Sequence, residues 1–450
     1  MTERAPSNEL GVPIYSSTSI CVRSVLCLLL AQITLIAHAG DWPNWRGLNY
    51  NGTAQEENLP ADLANPENLL WSADLPGSSY SSPVVVGTKV FVVSNGPEFK
   101  KLYAMCFDRD TGKELWRHVV SEGGSQNENN NMASVSPVAD KDHVYFTFGT
   151  GDLVKYDHDG NEVWAINLRD FGTYAPAWAY SSSPLLYNGR LYFPTLHGQW
   201  EKQPDWLKFT DANSYLLCLD AETGEKVFRV HRPARAYAET FDNYTTIVPH
   251  TANEEPIFVV QGGNCTTGHN FDTGEELWRF EYNEENVNMW RIVVTPVIMD
   301  DMIFSSEPRG GRGFGFNPNI PEQRDVESAG WIYDERIGDV PTPVFYEGKL
   351  YVPNGIMKTL ACLDPKTGEL IWEGDIDKSR RIWGSPVASE GKMYVLDEAG
   401  TAFALGIGDS FEILSSIKLG GRPSRSTPAI ADEKVFFRTA EKLYCFVNAE

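Results

Sequence analysis

The stretch DPKTGELIW at residues 364–372 is one copy of a pattern that recurs along the chain. Similar strings are DRDTGKELW at 108–116 and DAETGEKVF at 220–228, and altered forms are DHDGNEVW at 157–164 and NFDTGEELW at 270–278. The leading Asp or Asn accepts backbone N–H bonds, and Gly takes the positive φ that closes a hairpin. Each string therefore predicts two short antiparallel strands joined by a tight turn.

An aromatic residue stands four positions after the Gly in every copy, as Trp116, Trp164, Phe228, Trp278 and Trp372. If the repeated units lie side by side, each aromatic can pack against the neighbouring unit. A buried aromatic side chain removes about 150–250 Å² from water, which stabilises a fold by at most ~4–6 kcal/mol. We therefore interpret these residues, together with Trp71, as structural docking residues.

A second signal, Ser or Thr followed by Pro and an apolar run, alternates with the first. It is found at 82–83, 136–137, 183–184, 295–296, 342–343, 385–386 and 427–428, and we take Val248-Pro249 to complete the series. Because proline cannot donate to a β-ladder, it indicates the start of a strand or an edge strand. Successive prolines are roughly 42–65 residues apart, which brackets the repeat length of propeller blades.

Together the two signals predict an all-β fold, an eight-bladed β-propeller with four-stranded antiparallel blades. The last unit, at 426–447, supplies only three strands. We expect the missing fourth strand from NLLWSADL at 68–75, which carries Trp71. This N-terminal strand would complete the last blade, close the ring and remove open strand edges.

The N-terminal region has the features of a secretory signal peptide. Arg4 and Arg23 precede the apolar run at 24–37, and Ala37-His38-Ala39 is a small-x-small cleavage pattern. We expect residues 1–39 to be a signal peptide, 40–67 an N-terminal extension and 68–450 the propeller. The protein would then be exported, periplasmic or secreted. We expect no membrane span in the mature chain, because the apolar run at 24–37 is too short for a good span and no second long apolar run follows it.

Composition narrows the classes of partner. Lys and Arg total 38 against 61 Asp and Glu, which gives a net charge of −23. Such acidity repels nucleic acid and anionic membrane surfaces. We expect a monomer whose partner is a protein or a small-molecule ligand of unknown identity.

Other motifs have structural interpretations. The mature chain keeps five cysteines, which we expect to be buried and unpaired in separate repeats: Cys106, Cys218, Cys265, Cys362 and Cys445. The eight His are scattered, which argues against a zinc site. The acidic string at 157–162 is interpreted as a turn rather than a Ca²⁺ loop, and the Gly-rich string at 309–317 as a flexible loop.

Loop length indicates which face of the ring is functional. With strands A to D lettered from the channel outward, the predicted A–B and C–D connections are short. The long insertions are assigned to B–C or D–A connections: 94–101, 120–133, 169–181, 196–214, 231–246, 282–291 and 306–329. Such insertions commonly mark the binding face of a repeat protein.

The D–A segments lead into the inner strands, so their last residues should surround the channel mouth. The candidate ligand-binding residues are Tyr80, Asn131, Trp178, Tyr180, Tyr244, Trp290, Arg291, Arg381, Trp383 and Arg425. Aromatic rings and guanidinium groups together favour an acidic, sugar-like or peptide ligand. The alternative is that these aromatics only cap the core. The insertion at 198–206, with Trp200 and Trp206, is either a lid or partner-docking loop or packs on itself.

The repeated string resembles the tryptophan-docking motif of quinoprotein propellers, A-x-D-x-x-T-G-K-x-x-W, most closely at 108–116 and 364–372. The blade pattern is also similar to the outer-membrane assembly factor B propeller, and residues 41–93 are similar to exported PQQ-repeat-like propeller proteins. The resemblance covers about residues 41–450 and implies the eight-bladed fold. It implies little about activity, because the motif is a packing device.

Quinoprotein alcohol dehydrogenases hold pyrroloquinoline quinone (PQQ) over Ca²⁺, with an adjacent-Cys disulfide, a Trp floor and a Glu/Asn/Asp set on the metal. In this chain no two Cys are adjacent, and the Asp residues of the repeat are turn residues. We therefore expect no cofactor, no metal and no catalytic residue, and a non-catalytic binding or scaffold protein. The alternative is a divergent PQQ-dependent alcohol or sugar dehydrogenase that uses PQQ with calcium.

Overall fold

Thirty-two β-strands form eight four-stranded antiparallel sheets in the part of the chain that the structure describes. The structure is a computed structural model, and it describes residues 40–123, 130–172, 174, 179–196, 214–236, 238–252, 255–285, 287, 291–335, 337–376 and 379–449. Among these residues, five 3₁₀-helices lie in the connections: Pro66–Asn68, Pro97–Phe99, Leu168–Phe171, Ala238–Phe241 and Val326–Ser328. Within the described residues no helix has the length and apolar character that crossing a membrane requires.

The strands of the first half are β1 (Leu69–Asp74), β2 (Val84–Val86), β3 (Lys89–Asn95), β4 (Lys101–Asp108), β5 (Glu114–Glu122), β6 (Val138–Ala139), β7 (His143–Thr147), β8 (Asp152–Asp157), β9 (Glu162–Asn167), β10 (Leu185–Tyr187), β11 (Arg190–Thr195), β12 (Tyr215–Asp220), β13 (Lys226–His231), β14 (Val248–Ala252), β15 (Glu255–Gly262) and β16 (Cys265–Asn270).

The strands of the second half are β17 (Glu276–Glu281), β18 (Val297–Met299), β19 (Met302–Ser306), β20 (Gly313–Phe316), β21 (Trp331–Tyr333), β22 (Val344–Tyr346), β23 (Lys349–Asn354), β24 (Thr359–Leu363), β25 (Leu370–Asp375), β26 (Val387–Ser389), β27 (Lys392–Leu396), β28 (Thr401–Gly406), β29 (Glu412–Lys418), β30 (Ala429–Ala431), β31 (Lys434–Arg438) and β32 (Lys442–Phe446).

Each blade is a meander of four consecutive strands, from β2–β5 in blade 1 to β26–β29 in blade 7. Blade 8 consists of β30, β31 and β32, and its fourth strand is β1 from the other end of the chain. In this pair Trp71 lies opposite Cys445, and Asp74 lies opposite Lys442. The predicted eight-bladed propeller with an N-terminal strand in the last blade is confirmed.

Most of the docking tryptophans join their blade to the next through the indole nitrogen. Phe228 has no such group, and Nε1 of Trp278 has no hydrogen-bond partner among the described residues. Nε1 of Trp116 donates to the carbonyl of His158 at 3.1 Å, and Nε1 of Trp164 donates to that of Glu222 at 3.0 Å. Both acceptors lie in the Asp-Gly turn of the following blade. The sequence interpretation missed one such residue, Trp331 in blade 5, whose Nε1 donates to the carbonyl of Pro365 at 2.9 Å.

The repeated cysteines face these aromatics across the sheet. Cys106 pairs with Trp116, and Cys362 pairs with Trp372. In blade 4 the corresponding residue is Gly268, where a Cβ would lie 2.2 Å from the ring of Trp278. A small residue is therefore needed opposite the bulky ring. All five cysteines of the described residues are buried and free.

The interpretation of residues 309–317 as a flexible loop was wrong, because residues 313–316 form β20, the third strand of blade 5. Glycine is depleted in strands, so the pattern hid this one. A Cβ on Gly315 would lie 2.3 Å from Trp331, which explains the glycine. The insertion assigned to 306–329 therefore contains a strand, and its longer part, 317–329, belongs to the C–D connection on the other face.

A closed belt of hydrogen bonds links the inner ends of the blades. In each step the N–H of one hydroxyl residue donates to the side-chain oxygen of the next, at 2.9–3.3 Å. The belt residues are Ser82, Ser136, Ser183, Thr246, Thr295, Thr342, Ser385 and Thr427. Seven of them precede a proline, so the Ser/Thr-Pro signal marks the belt.

Blade 4 departs from the assignment made from sequence. Its belt residue is Thr246, so Val248-Pro249 is not the equivalent of the Ser/Thr-Pro pairs. Ile247 stands where the other blades have proline, and Pro249 lies inside β14 opposite Phe258. We assigned the signal to Val248-Pro249 because Pro249 lies only two residues after Ile247, the position at which the other blades have proline.

Residues 40–67, called the N-terminal segment below, contact the A–B ends of the inner strands. Trp42 pairs with Val85 of blade 1 through two backbone bonds of 2.7 and 2.9 Å. The buried guanidinium of Arg46 donates to the carbonyls of Pro343 and Pro386 at 2.7 and 3.0 Å. Burial lowers the pKa of Arg46 to about 9. The segment thus links blades 1, 6 and 7 at one end of the channel.

Candidate functional site

A cavity of about 330 Å³, called the channel-mouth cavity below, opens on the D–A side of the belt. Its lining residues come from the inner ends of the blades: Trp45, Tyr80, Ser82, Asn130, Ser134, Ser136, Ser181, Ser183, Glu239, Tyr244, Thr246, Arg291, Val293, Arg309, Val340, Thr342, Trp383, Ser385, Arg425 and Thr427. Five of the residues proposed from sequence are brought together here, namely Tyr80, Tyr244, Arg291, Trp383 and Arg425.

Three other proposed residues lie elsewhere. Tyr180 is buried in the core, where its hydroxyl donates to the carbonyl of Pro194 at 3.2 Å. Asn131 is also buried, and its side-chain oxygen accepts the N–H of Ala133 at 3.0 Å, so it shapes a turn. Arg381 is exposed outside the lining. Position relative to the Pro-led strand located the correct loops but could not give the direction of each side chain.

The remaining sequence candidates cannot be placed. Trp178 and Trp290 lie outside the described residues, and so does the insertion at 198–206 with Trp200 and Trp206. Whether that insertion is a lid or docking loop therefore stays a prediction.

Arg425 occupies one side of the cavity between two aromatic rings. Its guanidinium carbon lies 4.4 Å from the ring centroid of Trp383 and 4.9 Å from that of Tyr80. Its Nη2 also donates to Oε1 of Glu398 at 2.8 Å. The indole Nε1 of Trp383 is buried without a hydrogen-bond partner among the described residues. The stacking orients the guanidinium plane and leaves an indole donor for a ligand.

Two further arginines stand at blade 5. Arg291 binds Asp339 through two N–H groups, with distances of 3.2 and 3.0 Å. Arg309 donates to Oε2 of Glu239 at 2.7 Å, and Glu239 is only 3% exposed. The sequence interpretation missed Glu239 and Arg309. Glu239 lies within a predicted insertion that gave no sign of its partner, and Arg309 lies in the stretch mistaken for a flexible loop.

The belt forms the polar floor of the cavity. Every belt residue except Thr295 is part of the lining. Trp45 of the N-terminal segment reaches this floor, where its Nε1 donates to Oγ1 of Thr427 at 2.9 Å. The floor therefore presents hydroxyl groups, whereas the sides present guanidinium groups and aromatic rings.

The residues present do not fit a calcium–quinone centre. Within the described chain, no group of three or more His, Cys, Asp or Glu side chains is arranged to hold a metal ion. Glu239, Asp339 and Glu398 are each paired with an arginine of the cavity. The described cysteines are buried in separate blades, so none can form a ring of adjacent cysteines. We therefore derive no redox step.

Comparisons with known proteins support the fold. A polyvinylalcohol dehydrogenase from Sphingopyxis sp. (strain 113P3) is 23% identical over 436 residues, covering 91% of this chain and 59% of that protein. The chain thus spans about three fifths of the length of the curated relative it matches.

Solved structures of similar shape show the fold alone, because their sequences are only 13% identical. A europium-containing methanol dehydrogenase has a TM-score of 0.67 and matches 92% of this chain and 99% of its own. The quinohemoprotein alcohol dehydrogenase of Comamonas testosteroni has a TM-score of 0.64, with 92% and 82% covered. BamB of Moraxella catarrhalis has a TM-score of 0.57, with 84% and 99% covered.

A family model described as outer membrane protein assembly factor BamB matches residues 61–200, 203–325, 323–410 and 357–450. These matches take in most of the chain and all eight blades. This match shows that the chain belongs to the PQQ-like propeller family whose model is described as outer membrane protein assembly factor BamB.

Proposed function

We propose that the protein is an exported, non-catalytic binding propeller whose channel-mouth cavity holds an organic ligand with carboxylate groups. The observation that carries this proposal is the set of guanidinium groups in the cavity wall. Three guanidinium groups and one carboxylate line it, while the whole chain has a net charge of −23. Each guanidinium group is already paired with one carboxylate, Arg425 with Glu398, Arg291 with Asp339 and Arg309 with Glu239. These pairs fix the orientation of the guanidinium groups, and because a guanidinium has five N–H donors it can also donate to a carboxylate of the ligand.

The arrangement of the arginines favours a ligand with anionic groups at two ends. Arg425 precedes blade 8, whereas Arg291 and Arg309 belong to blade 5 and the segment before it, three blades away. Guanidinium groups bind carboxylates through paired N–H donors. The rings of Tyr80 and Trp383 add flat apolar surface, and the belt adds hydroxyl groups beneath the ligand.

Titration calorimetry with digalacturonate, and with its uncharged counterpart galactobiose, tests the proposal. We expect digalacturonate to bind and galactobiose to bind at least about tenfold more weakly, the factor equivalent to ~1.4 kcal/mol. Arg425→Gln and Trp383→Ala should each weaken digalacturonate binding by a similar factor. Arg324→Gln is the matched control, because Arg324 is exposed in the C–D connection of blade 5 and lies outside the lining, and it should leave binding unchanged. Equal binding of both sugars, or an unaffected Arg425→Gln protein, would contradict the proposal.

A second candidate is a divergent PQQ-dependent dehydrogenase, favoured by the similarity to polyvinylalcohol dehydrogenase over 91% of the chain. Incubation of the purified protein with PQQ and Ca²⁺, followed by an assay of dye-linked alcohol oxidation, separates the two candidates. Stoichiometric cofactor binding with turnover would show that the non-catalytic proposal is wrong.

Export is the part of the proposal that rests on residues 1–39, which lie outside the described residues. Expression of the full chain in a bacterial host, fractionation and N-terminal sequencing test it. We expect a product that begins near residue 40 in the periplasm or medium, and an uncleaved product in the cytoplasm would contradict export.

A further inference from the structure

A second cavity, of about 540 Å³, lies on the A–B side of the belt. One wall consists of Arg46 and residues 48–51 of the N-terminal segment, and the other consists of the inner ends of blades 3 to 6. The N-terminal segment separates the two cavities, since Trp45 lines the channel-mouth cavity and Arg46 lines the second one. The segment thus fills part of this end of the channel, and the inner ends of blades 3 to 6 line the cavity that remains.

The N-terminal segment binds the blades by adding to their free inner edges. The inner strand of a blade has sheet partners on one side only, so alternate N–H and C=O groups face the channel. Val85, the second residue of β2, uses both groups to bind Trp42. Ala388, the second residue of β26, donates to the carbonyl of Gly52 at 2.9 Å and accepts the N–H of Ala54 at 3.0 Å.

Ile298 and Phe345 hold the same register in blades 5 and 6. Ile298 lies opposite Ile303 and Phe345 opposite Leu350, as Val85 lies opposite Val90. Both residues line the second cavity. Among the described residues, no group outside their own sheets makes a hydrogen bond to the backbone of either one. The inner edges at Ile298 and Phe345 therefore present to the cavity the same backbone N–H and C=O groups that Val85 and Ala388 use to bind the N-terminal segment.

Pro249 in blade 4 supports the conclusion that the backbone N–H at this register faces the channel. Pro249 is the second residue of β14 and pairs with Phe258 in the same inner-strand register. Proline has no N–H, so it fits where that N–H would face the channel rather than the sheet. The carbonyl of Pro249 remains an acceptor at this register.

His250 adds a side-chain group to the second cavity. It is 6% exposed, and its Nε2 is buried without a hydrogen-bond partner among the described residues. Burial lowers the pKa of His250, which keeps the ring neutral at neutral pH. A neutral ring offers one donor and one acceptor. The rest of the lining is mixed: Pro249, Val297 and Phe345 contribute apolar atoms, and Arg46, Asn51 and Asp300 contribute polar or charged ones.

We infer that the second cavity binds an extended peptide segment of a partner protein, which adds to the inner edges of blades 5 and 6. The chain itself provides the precedent, because residues 42–54 add in this way to blades 1 and 7. Addition of a strand to a free edge gives affinity through backbone hydrogen bonds, and pockets beside the edge select side chains. Such a peptide would place an apolar side chain beside Phe345 and a polar one at His250.

Panning of a phage-displayed library of random twelve-residue peptides on the purified protein tests this inference. The decisive variant is Ile298→Pro, which removes one channel-facing N–H, and Pro249 shows that proline fits this register. Synthetic peptides from the enriched clones should bind at least tenfold more weakly to Ile298→Pro and to His250→Phe. Trp383→Ala, in the channel-mouth cavity, should bind them unchanged, which separates this inference from the proposed function.

A second measurement uses the wild-type protein, so its outcome does not depend on whether a variant folds. Replacement of single peptide amides by esters removes ligand N–H groups, and at least one replacement should weaken binding to the wild-type protein about tenfold. The inference is overturned if no clone is enriched, or if the enriched peptides bind Ile298→Pro as tightly as the wild type. The inference is also overturned if the second cavity proves to be a small-molecule site. In that case uncharged probes such as phenol and sorbitol would shift the NMR signals of the His250 ring and would bind the wild type and Ile298→Pro equally tightly.

Discussion

The indole nitrogen of Trp71 donates a hydrogen bond to the carbonyl of Arg109, 2.8 Å away. Trp71 belongs to β1, the strand that completes blade 8, and Arg109 belongs to a turn of blade 1. The bond therefore lies at the joint where the ring closes. The same indole-to-turn bond joins blade 1 to 2, blade 2 to 3, blade 5 to 6 and blade 6 to 7.

Removal of the Trp71 side chain should weaken ring closure. Its ring is 8% exposed, so Trp71→Ala should lower the free energy of unfolding by about 3–5 kcal/mol, as large-to-small core changes do. Trp71→Phe keeps an aromatic ring and loses the hydrogen bond, and should cost about 1 kcal/mol. Urea unfolding followed by fluorescence and circular dichroism measures both. An unchanged midpoint for Trp71→Ala would show that β1 is not needed for closure.

The glycine of the repeated turn has a second role besides its positive φ, because it leaves room for the docking tryptophan of the neighbouring blade. A comparison of Gly112 with Gly87 tests this role. Gly112 has a φ of +68°, and a Cβ there would lie 2.5 Å from the ring of Trp71. Gly87 has a φ of +55°, and its Cβ would meet nothing within 4 Å. Gly87→Ala should cost about 1–2 kcal/mol for the left-handed backbone alone. Gly112→Ala should cost clearly more, and equal costs would contradict this role.

The belt predicts a specific effect of removing one hydroxyl. Thr342 Oγ1 accepts the N–H of Thr295 at 3.1 Å, and both residues are buried. Thr342→Val keeps the shape but leaves that N–H without an acceptor, which should cost about 1–3 kcal/mol. Thr342→Ser keeps the acceptor and should cost less. Hydrogen exchange of the Thr295 amide is the direct measurement, and it should become faster only in the valine variant.

The sequence predicted the fold well because its signals are local. A turn needs Asp and Gly at fixed positions, and the docking Trp follows at a fixed distance, so each blade can be recognised alone. Blade 5 lacked these signals, since β20 is glycine-rich and its long connection separates the strand from Trp331. The sequence pattern therefore missed the third strand of blade 5, although it gave the correct number of eight blades.

The candidate site was predicted only in part because it depends on closure of the ring. Arg425 and Trp383 were found from their positions before Pro-led strands. Their stacking with Tyr80, and the pairing of Glu239 with Arg309, join residues that are distant in the chain. Nor does the D–A position show whether a tyrosine points to the channel, as Tyr244 does, or into the core, as Tyr180 does.

Acid should destabilise the propeller through His269. This residue is 2% exposed, and its ring nitrogens lie 3.0 Å from the carbonyl of Gly274 and 2.8 Å from Oγ1 of Thr267. Burial lowers the pKa of His269 from 6.5 to about 4, and the nearby cation of Arg232 adds to the effect. Since the unfolded chain takes up the proton first, the contribution of His269 is complete above pH 6.5 and is lost as pH falls to about 4.

The expected loss is about 3 kcal/mol, because each unit of pKa difference corresponds to ~1.4 kcal/mol. Urea unfolding between pH 7 and 4 measures it, and His269→Gln is the comparison, since glutamine retains hydrogen-bonding groups without a titrating ring. The difference in unfolding free energy between the two proteins should narrow or reverse as the pH falls. A difference that stays constant across this range would mean that the protonation of His269 is not coupled to unfolding.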